Sequence, residues 1–213
     1  MQLTKYTHSC VRLDDGDRAL VLDPGSFSEV ETALDGAAAV LVTHEHADHI
    51  DVDRLTAAAR KDPRLRIWAP AGVAATLGEL GEQVVAVASG ESFDAGGFTI
   101  RTYGGQHALI HPTIPVVANV GYLVNDTVYH PGDSLIVPTV PVSTLLAPVH
   151  APWSKTGEVI DFLTSVRAPH VFQIHDGLLN ERGLGFVEGH VTRLGAQHGS
   201  DFRHLKVSET VDV

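Results

Sequence analysis

Short apolar runs separated by glycine, proline and aspartate make up most of the hydrophobic pattern of this chain. Positions 3–13 and 19–22 predict two strands, and the Asp/Gly-rich turn at 14–17 is typical of a hairpin between them. Further strands are predicted at 37–42, 65–69, 83–87, 98–103, 119–124, 127–130, 144–149 and 170–174, with a closing pair of short strands within 202–213.

Two longer segments have the apolar spacing of amphipathic helices. At 52–60 the apolar face includes Leu55 and Ala59, and Pro63 ends the pattern; at 156–166 the face includes Val159 and Phe162. Smaller helices are predicted at 72–80 and 185–197. Because strands and helices alternate without a repeat or a linker, we expect one α/β domain over residues 1–213.

The charge balance narrows the class of partner. The chain has 26 acidic against 15 basic residues, a net charge of −11, which argues against nucleic acid or an anionic membrane. We therefore expect a small-molecule substrate, while nothing in the pattern indicates an oligomeric state. Cys10 is the single cysteine, so no internal disulfide can form, and we interpret it as a core residue of a protein in the reducing cytoplasm.

The stretch from Thr43 to His49 is the densest group of metal-binding side chains. It places His44, His46, Asp48 and His49 directly after an apolar strand. Imidazole and carboxylate suit zinc, iron or manganese, and the lack of thiolates argues against a closed structural zinc site. Alternatively, the histidines could be surface residues and Asp48 a helix N-cap, but the density of the cluster favours metal binding.

Other strand ends also carry histidine or aspartate. His107, Asp133 and His175 each follow a predicted strand, and Asp23 begins a Pro-Gly turn after the second strand. Asp23 and Asp133 could each be a turn former, although a carboxylate at a strand end can also orient ligand histidines. The antiparallel hairpin predicts that His8 lies near Asp23.

The motif His-x-His-x-Asp-His resembles the signature of the metallo-β-lactamase superfamily, and the other motif residues follow in the family's order. The resemblance implies an αββα sandwich with a pair of metal ions at one edge of the sheets. His44, His46 and His107 would hold the first ion, and Asp48, His49 and His175 the second. Asp133 would bridge the two ions, and Asp23 would orient a ligand. Zinc is the first expectation for both ions, with manganese and iron as alternatives.

The same resemblance implies a hydrolase that uses a hydroxide bridging the two ions. Short segments around His8, Tyr122 and Asp133 look most like uncharacterised hydrolases related to ascorbate-6-phosphate lactonase and N-acyl-phosphatidylethanolamine phospholipase D, which suggests an ester, lactone or phosphodiester substrate. Asp48 and Asp133 would act in catalysis, where Asp133 could pass a proton to the leaving group.

Residues outside the motifs are weaker candidates. His8 would orient a ligand or donate a proton, or else be a buried histidine satisfied by backbone. His111 and Trp153, with His150, could line the substrate pocket or be ordinary loop residues.

Two alternatives use the same fold. One is a mononuclear iron oxygenase similar to persulfide dioxygenases, and the other is a binding protein that has lost catalysis. Because no ligand of either ion is missing from the sequence, we favour the hydrolase.

Overall fold

The computed structural model describes residues 1–213 and contains two seven-stranded sheets. The strands are β1 (Gln2–Lys5), β2 (Val11–Asp15), β3 (Arg18–Leu22), β4 (Ala39–Leu41), β5 (Arg66–Ala69), β6 (Val84–Ala86), β7 (Ser92–Ala95), β8 (Phe98–Gly104), β9 (Val120–Val124), β10 (Val128–His130), β11 (Thr144–Pro148), β12 (His170–Ile174), β13 (Asp201–Arg203) and β14 (Glu209–Asp212). The helices are α1 (Val30–Leu34), α2 (Val52–Lys61), α3 (Ala71–Thr76), α4 (Thr156–Val166) and α5 (Glu181–Ala196), with a 3₁₀ helix at Gly78–Gln83.

Both sheets are mixed. The first has the order β14-β1-β2-β3-β4-β5-β6, in which β3 to β6 run parallel, and the second has the order β13-β12-β11-β10-β9-β8-β7, in which β10 to β13 run parallel. Parallel strands end at the same edge of a sheet, so loops that follow them can meet there. At this edge the two sheets are joined directly, since Val120 N donates to Thr43 O over 2.9 Å.

Three apolar clusters separate the layers. The largest lies between the sheets and includes Leu22, Leu41 and Tyr122. A second packs α1 to α3 on the first sheet, and a third packs α4 and α5 on the second. The predicted αββα sandwich is confirmed.

The structure corrects several boundaries. Positions 3–13 are not one strand, because β1 ends at Lys5 and the chain turns before β2, with Tyr6 N donating to Cys10 O over 2.9 Å. His8 lies in this turn with φ 65°, a left-handed conformation that a strand cannot contain. The two closing strands do not pair with each other, since β13 joins β12 and β14 joins β1. β7 and α1 were not predicted, because both are too short for a clear period.

No helix is long and apolar enough to cross a membrane. A cavity of about 690 Å³ lies between α1 and α2 and is lined by none of the predicted metal ligands. The histidine cluster is therefore a separate feature of the molecule.

Candidate metal centre

The loop that follows β4 carries four of the predicted ligands. His44 and His49 are buried, whereas His46 and Asp48 are partly exposed. His49 N donates to His46 O over 2.9 Å, and this tight turn brings the four side chains to one side of the loop.

Asp48 is not the N-cap of the next helix. That position belongs to Asp51, whose side chain accepts a hydrogen bond from Arg54 N over 3.0 Å. The alternative interpretation of Asp48 as a cap is therefore wrong, and its carboxylate is left to interact with the histidines.

The second sheet supplies three more ligands from separate loops. His107 follows β8, Asp133 follows β10 and His175 follows β12 directly, with φ 58°. All three are nearly fully buried. The left-handed backbone at His175 ends the strand abruptly, so the side chain stays at the edge of the sheet where the loop of the first sheet also lies.

The ligand atoms fall into two groups, and within each group they lie within 4.8 Å of one another. The first group contains His44, His46, His107 and Asp133; the second contains His8, Asp48, His49 and His175. The structure thus brings together all seven residues predicted from the sequence and adds His8 to them.

Asp133 lies between the groups. Its Oδ2 is 3.2 Å from His107 Nε2 and 3.1 Å from His175 Nε2, and its Oδ1 is 3.0 Å from His49 Nε2. One carboxylate therefore contacts imidazoles of both groups.

Several of these atoms are buried without a hydrogen bond. They are His49 Nε2, His107 Nε2, His175 Nε2 and Asp133 Oδ1. Buried polar atoms are nearly always satisfied, and leaving one unpaired costs about 1–3 kcal/mol. A set of unpaired imidazole nitrogens around a carboxylate is the donor set that divalent ions such as zinc bind, so these residues fit a metal.

Hydrogen bonds at the other ring nitrogens fix how these histidines face the centre. His107 Nδ1 donates to Ala108 O over 2.6 Å, and His49 Nδ1 lies 2.7 Å from Asp23 Oδ2. Because a carbonyl and a carboxylate accept, both rings carry a proton on Nδ1 and turn Nε2 toward the centre. His44 Nδ1 contacts Thr43 Oγ1 over 3.0 Å, and its Nε2 faces another ligand of the same loop, 3.1 Å from His46 Nδ1.

The charges of the centre are set by burial and by mutual contacts. Burial lowers the pKa of His44 well below its usual value, so this imidazole is neutral. For His49 the net shift is upward. Burial acts to lower its pKa, but the carboxylates of Asp133 and Asp23 have the larger effect, so the pKa of His49 lies well above its usual value.

The two carboxylates of the centre are ionised at neutral pH. For Asp48 the net shift is downward. Burial acts to raise its pKa, but the hydrogen bond from His8 and the nearby His49 have the larger effect, so the pKa of Asp48 is about 2. Burial opposes ionisation of Asp133 as well, but His49 and His107 hold its pKa well below the usual value.

Asp23 lies behind the first ligand loop and is fully buried. Its Oδ1 accepts from Thr43 N over 2.7 Å, while its Oδ2 contacts both Thr43 Oγ1 and His49 Nδ1 over 2.7 Å. It contacts ligands of the centre from outside, which is where the sequence interpretation put it.

His8 is fully buried, and its tautomer can be deduced. Its Nδ1 accepts from Gly177 N over 3.2 Å, so the proton is on Nε2, which donates to Asp48 Oδ2 over 3.1 Å. The prediction that His8 lies near Asp23 assumed that the first strand of the hairpin includes His8, whereas β2 begins at Val11 and pairs with β3 from Val11 onward. Instead the two residues flank His49, whose ring lies 5.9 Å from that of His8.

A buried lysine that the sequence analysis missed holds the His8 turn. Lys5 is 1% exposed, and its Nζ donates to His8 O over 2.8 Å and to Asp176 Oδ1 over 3.2 Å. His175 N also donates to His8 O, over 3.2 Å. Lys5 thus ties the N-terminal turn to the His175 loop. Alternate residues of a strand lie on the same face, so Lys5 lies on the inward face of β1 together with Leu3. A lysine at such an inward position was the sequence signal for this role.

The predicted pocket residues differ in their contacts. Trp153 Nε1 donates to Asp133 Oδ2 over 2.7 Å, and its ring lies 6.0 Å from that of His107. His150 is partly buried. Its pKa is lowered mainly by this burial and, to a smaller extent, by the nearby His175. His111 is exposed and hydrogen-bonds Thr113, so the structure gives it no contact with the centre.

The fold and the histidine–aspartate cluster define a metal-dependent hydrolase of the metallo-β-lactamase fold. The family model of the beta-lactamase superfamily domain matches residues 2–175, and the chain belongs to this superfamily. A UPF0173 metal-dependent hydrolase of Xanthobacter autotrophicus is 31% identical over 172 residues, which cover 71% of this chain and 68% of the relative.

Two further proteins match almost the whole chain. Protein Rv0786c of Mycobacterium tuberculosis is 39% identical over 216 residues, 99% of either chain. The solved structure of Igni18, a metallo hydrolase from Ignicoccus hospitalis, has a TM-score of 0.75 at 18% identity and covers 99% of this chain and 97% of its own. At that identity the structural likeness shows the shared fold.

Proposed function

We propose that this protein is a binuclear metallo-hydrolase that cleaves a small ester, lactone or phosphodiester. The observation that carries the proposal is the position of Asp133, which lies 3.0–3.2 Å from histidines of both ligand groups. A carboxylate in that position can bridge two ions and offset the repulsion between them.

The chain's own residues divide between the ions as follows. His44, His46 and His107 would hold the first ion, Asp48, His49 and His175 would hold the second, and Asp133 would bridge them; these residues fall in the two groups of neighbouring ligand atoms. When bound, such a pair of divalent ions ionises water near neutral pH and polarises the bond that is cleaved. Nitrogen and oxygen donors without thiolate favour zinc, and manganese or iron also fits them.

Two hydrogen bonds fix the orientation of the carboxylates of Asp133 and Asp48. Trp153 Nε1 donates to Asp133 Oδ2 over 2.7 Å, which fixes the rotation of that carboxylate. Asp133 is ionised, so it can take up a proton and pass it to the leaving group. His8 Nε2 donates to Asp48 Oδ2 and fixes the second carboxylate in the same way.

The charge of the molecule supports a small substrate. With a net charge of −11 the protein repels nucleic acid and anionic membranes, and no other feature of the centre calls for a macromolecular partner.

Metal removal tests the proposal directly. We expect elemental mass spectrometry to find two zinc or manganese ions per chain, and a chelator to abolish hydrolysis of model esters. Because metal binds only the folded state, restoring metal to about 100-fold above its Kd should raise the melting temperature of the apoprotein by about 5–10 °C. One iron per chain with oxygen consumption would support the oxygenase, and bound metal without turnover would support the binding protein.

Replacing His8 by glycine tests its positioning role. Glycine tolerates the φ of 65° at this position, so the change removes the imidazole without straining the turn. We expect both ions to remain bound at saturating zinc while kcat falls by about 10- to 100-fold at unchanged KM, the range for partners that orient metal ligands. Added imidazole should restore part of kcat. Unchanged turnover would mean that His8 is only a buried histidine satisfied by backbone.

A further inference from the structure

The exposed apolar side chains of this protein are concentrated around the metal centre. Ten large apolar side chains are exposed, and eight of them lie in loops that carry or contact the ligands. They are Phe27, four residues of the loop 105–119, Ile136, Val137 and Leu178; we call these eight residues the apolar rim. Only Phe186 and Val207 lie elsewhere. Apolar exposure concentrated in this way marks a binding surface.

The loops of the apolar rim are joined at the ligands themselves. Ala108 N donates to Asp133 O over 2.8 Å, which links the loop of His107 to the loop that contains Ile136 and Val137. Across the centre, the ring of Phe27 lies 5.2 Å from that of His8. Leu178 follows His175 by three residues. The loops that carry the apolar rim therefore meet at the metal ligands.

The same loops lack groups that could bind a second anion. Segments 24–29, 105–119, 131–143, 149–155 and 175–180 contain no arginine, and their single lysine is Lys155. That lysine is 84% exposed at its side chain and pairs with Glu158 over 3.5 Å. Sites for phosphorylated or carboxylated substrates use arginine or lysine to hold the charge that the metals do not contact.

We propose that the substrate is an ester or lactone with an apolar acyl group that packs on the apolar rim, and that it carries no charged group outside the bond cleaved. This inference rests on the proposed function and names the substrate class of the same site. Hydrolysis adds water across the acyl C–O bond and yields a carboxylic acid and an alcohol. Nucleotides, sugar phosphates and other multiply anionic substrates are disfavoured, because the one lysine or arginine of these loops, Lys155, is paired with Glu158.

The test compares p-nitrophenyl esters that differ only in the acyl group, with the zinc-loaded protein. Each methylene buried on the apolar rim contributes about fourfold to binding, so kcat/KM for the octanoate should exceed that for the acetate by at least about tenfold. The anionic p-nitrophenyl succinate should be a poorer substrate than the butyrate of similar size. Equal rates for acetate and octanoate would overturn the inference, and so would a preference for succinate.

Matched variants assign the preference to the apolar rim. The double variant Ile136→Ser/Val137→Ser should lower kcat/KM for the octanoate about tenfold more than kcat/KM for the acetate. The control double variant Phe186→Ser/Val207→Ser, which removes the exposed apolar side chains outside the rim, should change neither. An equal effect on both esters would overturn the inference. A change in sedimentation coefficient in the Ile136→Ser/Val137→Ser variant would also overturn it, because the apolar rim would then be a subunit contact.

A binding measurement separates failure of this inference from failure of the proposed function. Trp153 contacts Asp133 and reports on the site, whereas Trp68 is packed in the core between the sheets. The probes here are the free carboxylate ions rather than the esters. Quenching of tryptophan fluorescence should show that the octanoate ion binds at least about tenfold more tightly than the acetate ion, and the Ile136→Ser/Val137→Ser variant should lose this difference. If no ester is cleaved but octanoate binds selectively, only the proposed function fails. If esters are cleaved without selectivity in rate or binding, only this inference fails.

Discussion

Replacing Asp133 by alanine is expected to lower the metal content from two ions per chain to one or fewer and to reduce kcat by more than about 100-fold. Mutating a residue that only orients a metal ligand typically lowers metal affinity or activity by about 10- to 100-fold. Asp133 contacts ligands of both groups directly, so its loss should have a larger effect. Its loss leaves three histidines without the carboxylate between them. Elemental mass spectrometry and ester hydrolysis on the same preparation measure both effects.

The matched control is Asp126→Ala. Asp126 is an exposed aspartate whose carboxylate pairs with Arg101 over 3.1 Å, so its removal should leave metal content and turnover unchanged. If Asp133→Ala retains both ions and full turnover, Asp133 does not bridge the metals and the binuclear proposal fails.

Replacing Gly25 by alanine is expected to distort the ligand loop of the first sheet. A Cβ at this position would lie 1.9 Å from Asp48 O and 2.6 Å from His49 N, so the backbone of two ligands must move. Overpacking of this kind costs about 3 kcal/mol, which for a chain of this size lowers the melting temperature by about 6–12 °C. Weaker binding of the second ion should accompany the loss of stability.

Gly185→Ala provides the comparison. A Cβ there meets no atom within 4 Å, and because Gly185 lies inside α5 the change should be neutral or slightly stabilising. Calorimetry and zinc titration of both variants distinguish the outcomes. A Gly25→Ala protein with unchanged stability and zinc affinity would show that the ligand loop is not held by this close approach.

Local sequence patterns predicted most of the fold and the ligand positions. β12 and α4 were predicted with their boundaries, because a continuous apolar run and an amphipathic spacing each specify one structure. The ligands could be predicted because one loop holds a dense His-x-His-x-Asp-His motif and the other candidates follow strand ends in the order of the family. Their roles remain predictions until metal is measured.

What the sequence did not predict depends on contacts between distant segments. Lys5 and Asp176 are 171 positions apart, and no local pattern links them. The turn at His8 is equally hidden, because its left-handed backbone is held by Gly177 and His175 on the other sheet. Asp48 and Asp51 lie three residues apart before α2, and only the hydrogen bond from Arg54 N shows that Asp51 is the N-cap.

The division of the ligands between the two sheets has a consequence for how the protein matures. His44, His46, Asp48 and His49 come from the first sheet, whereas His107, Asp133 and His175 come from the second. In the proposed centre neither half alone has a complete set for either ion, so the first set is complete only after residue 133 has been synthesised, the second only after residue 175, and both only once the halves have docked. On this proposal metal insertion follows docking, and an ion held by ligands from both sheets would stabilise the closed sandwich against reopening.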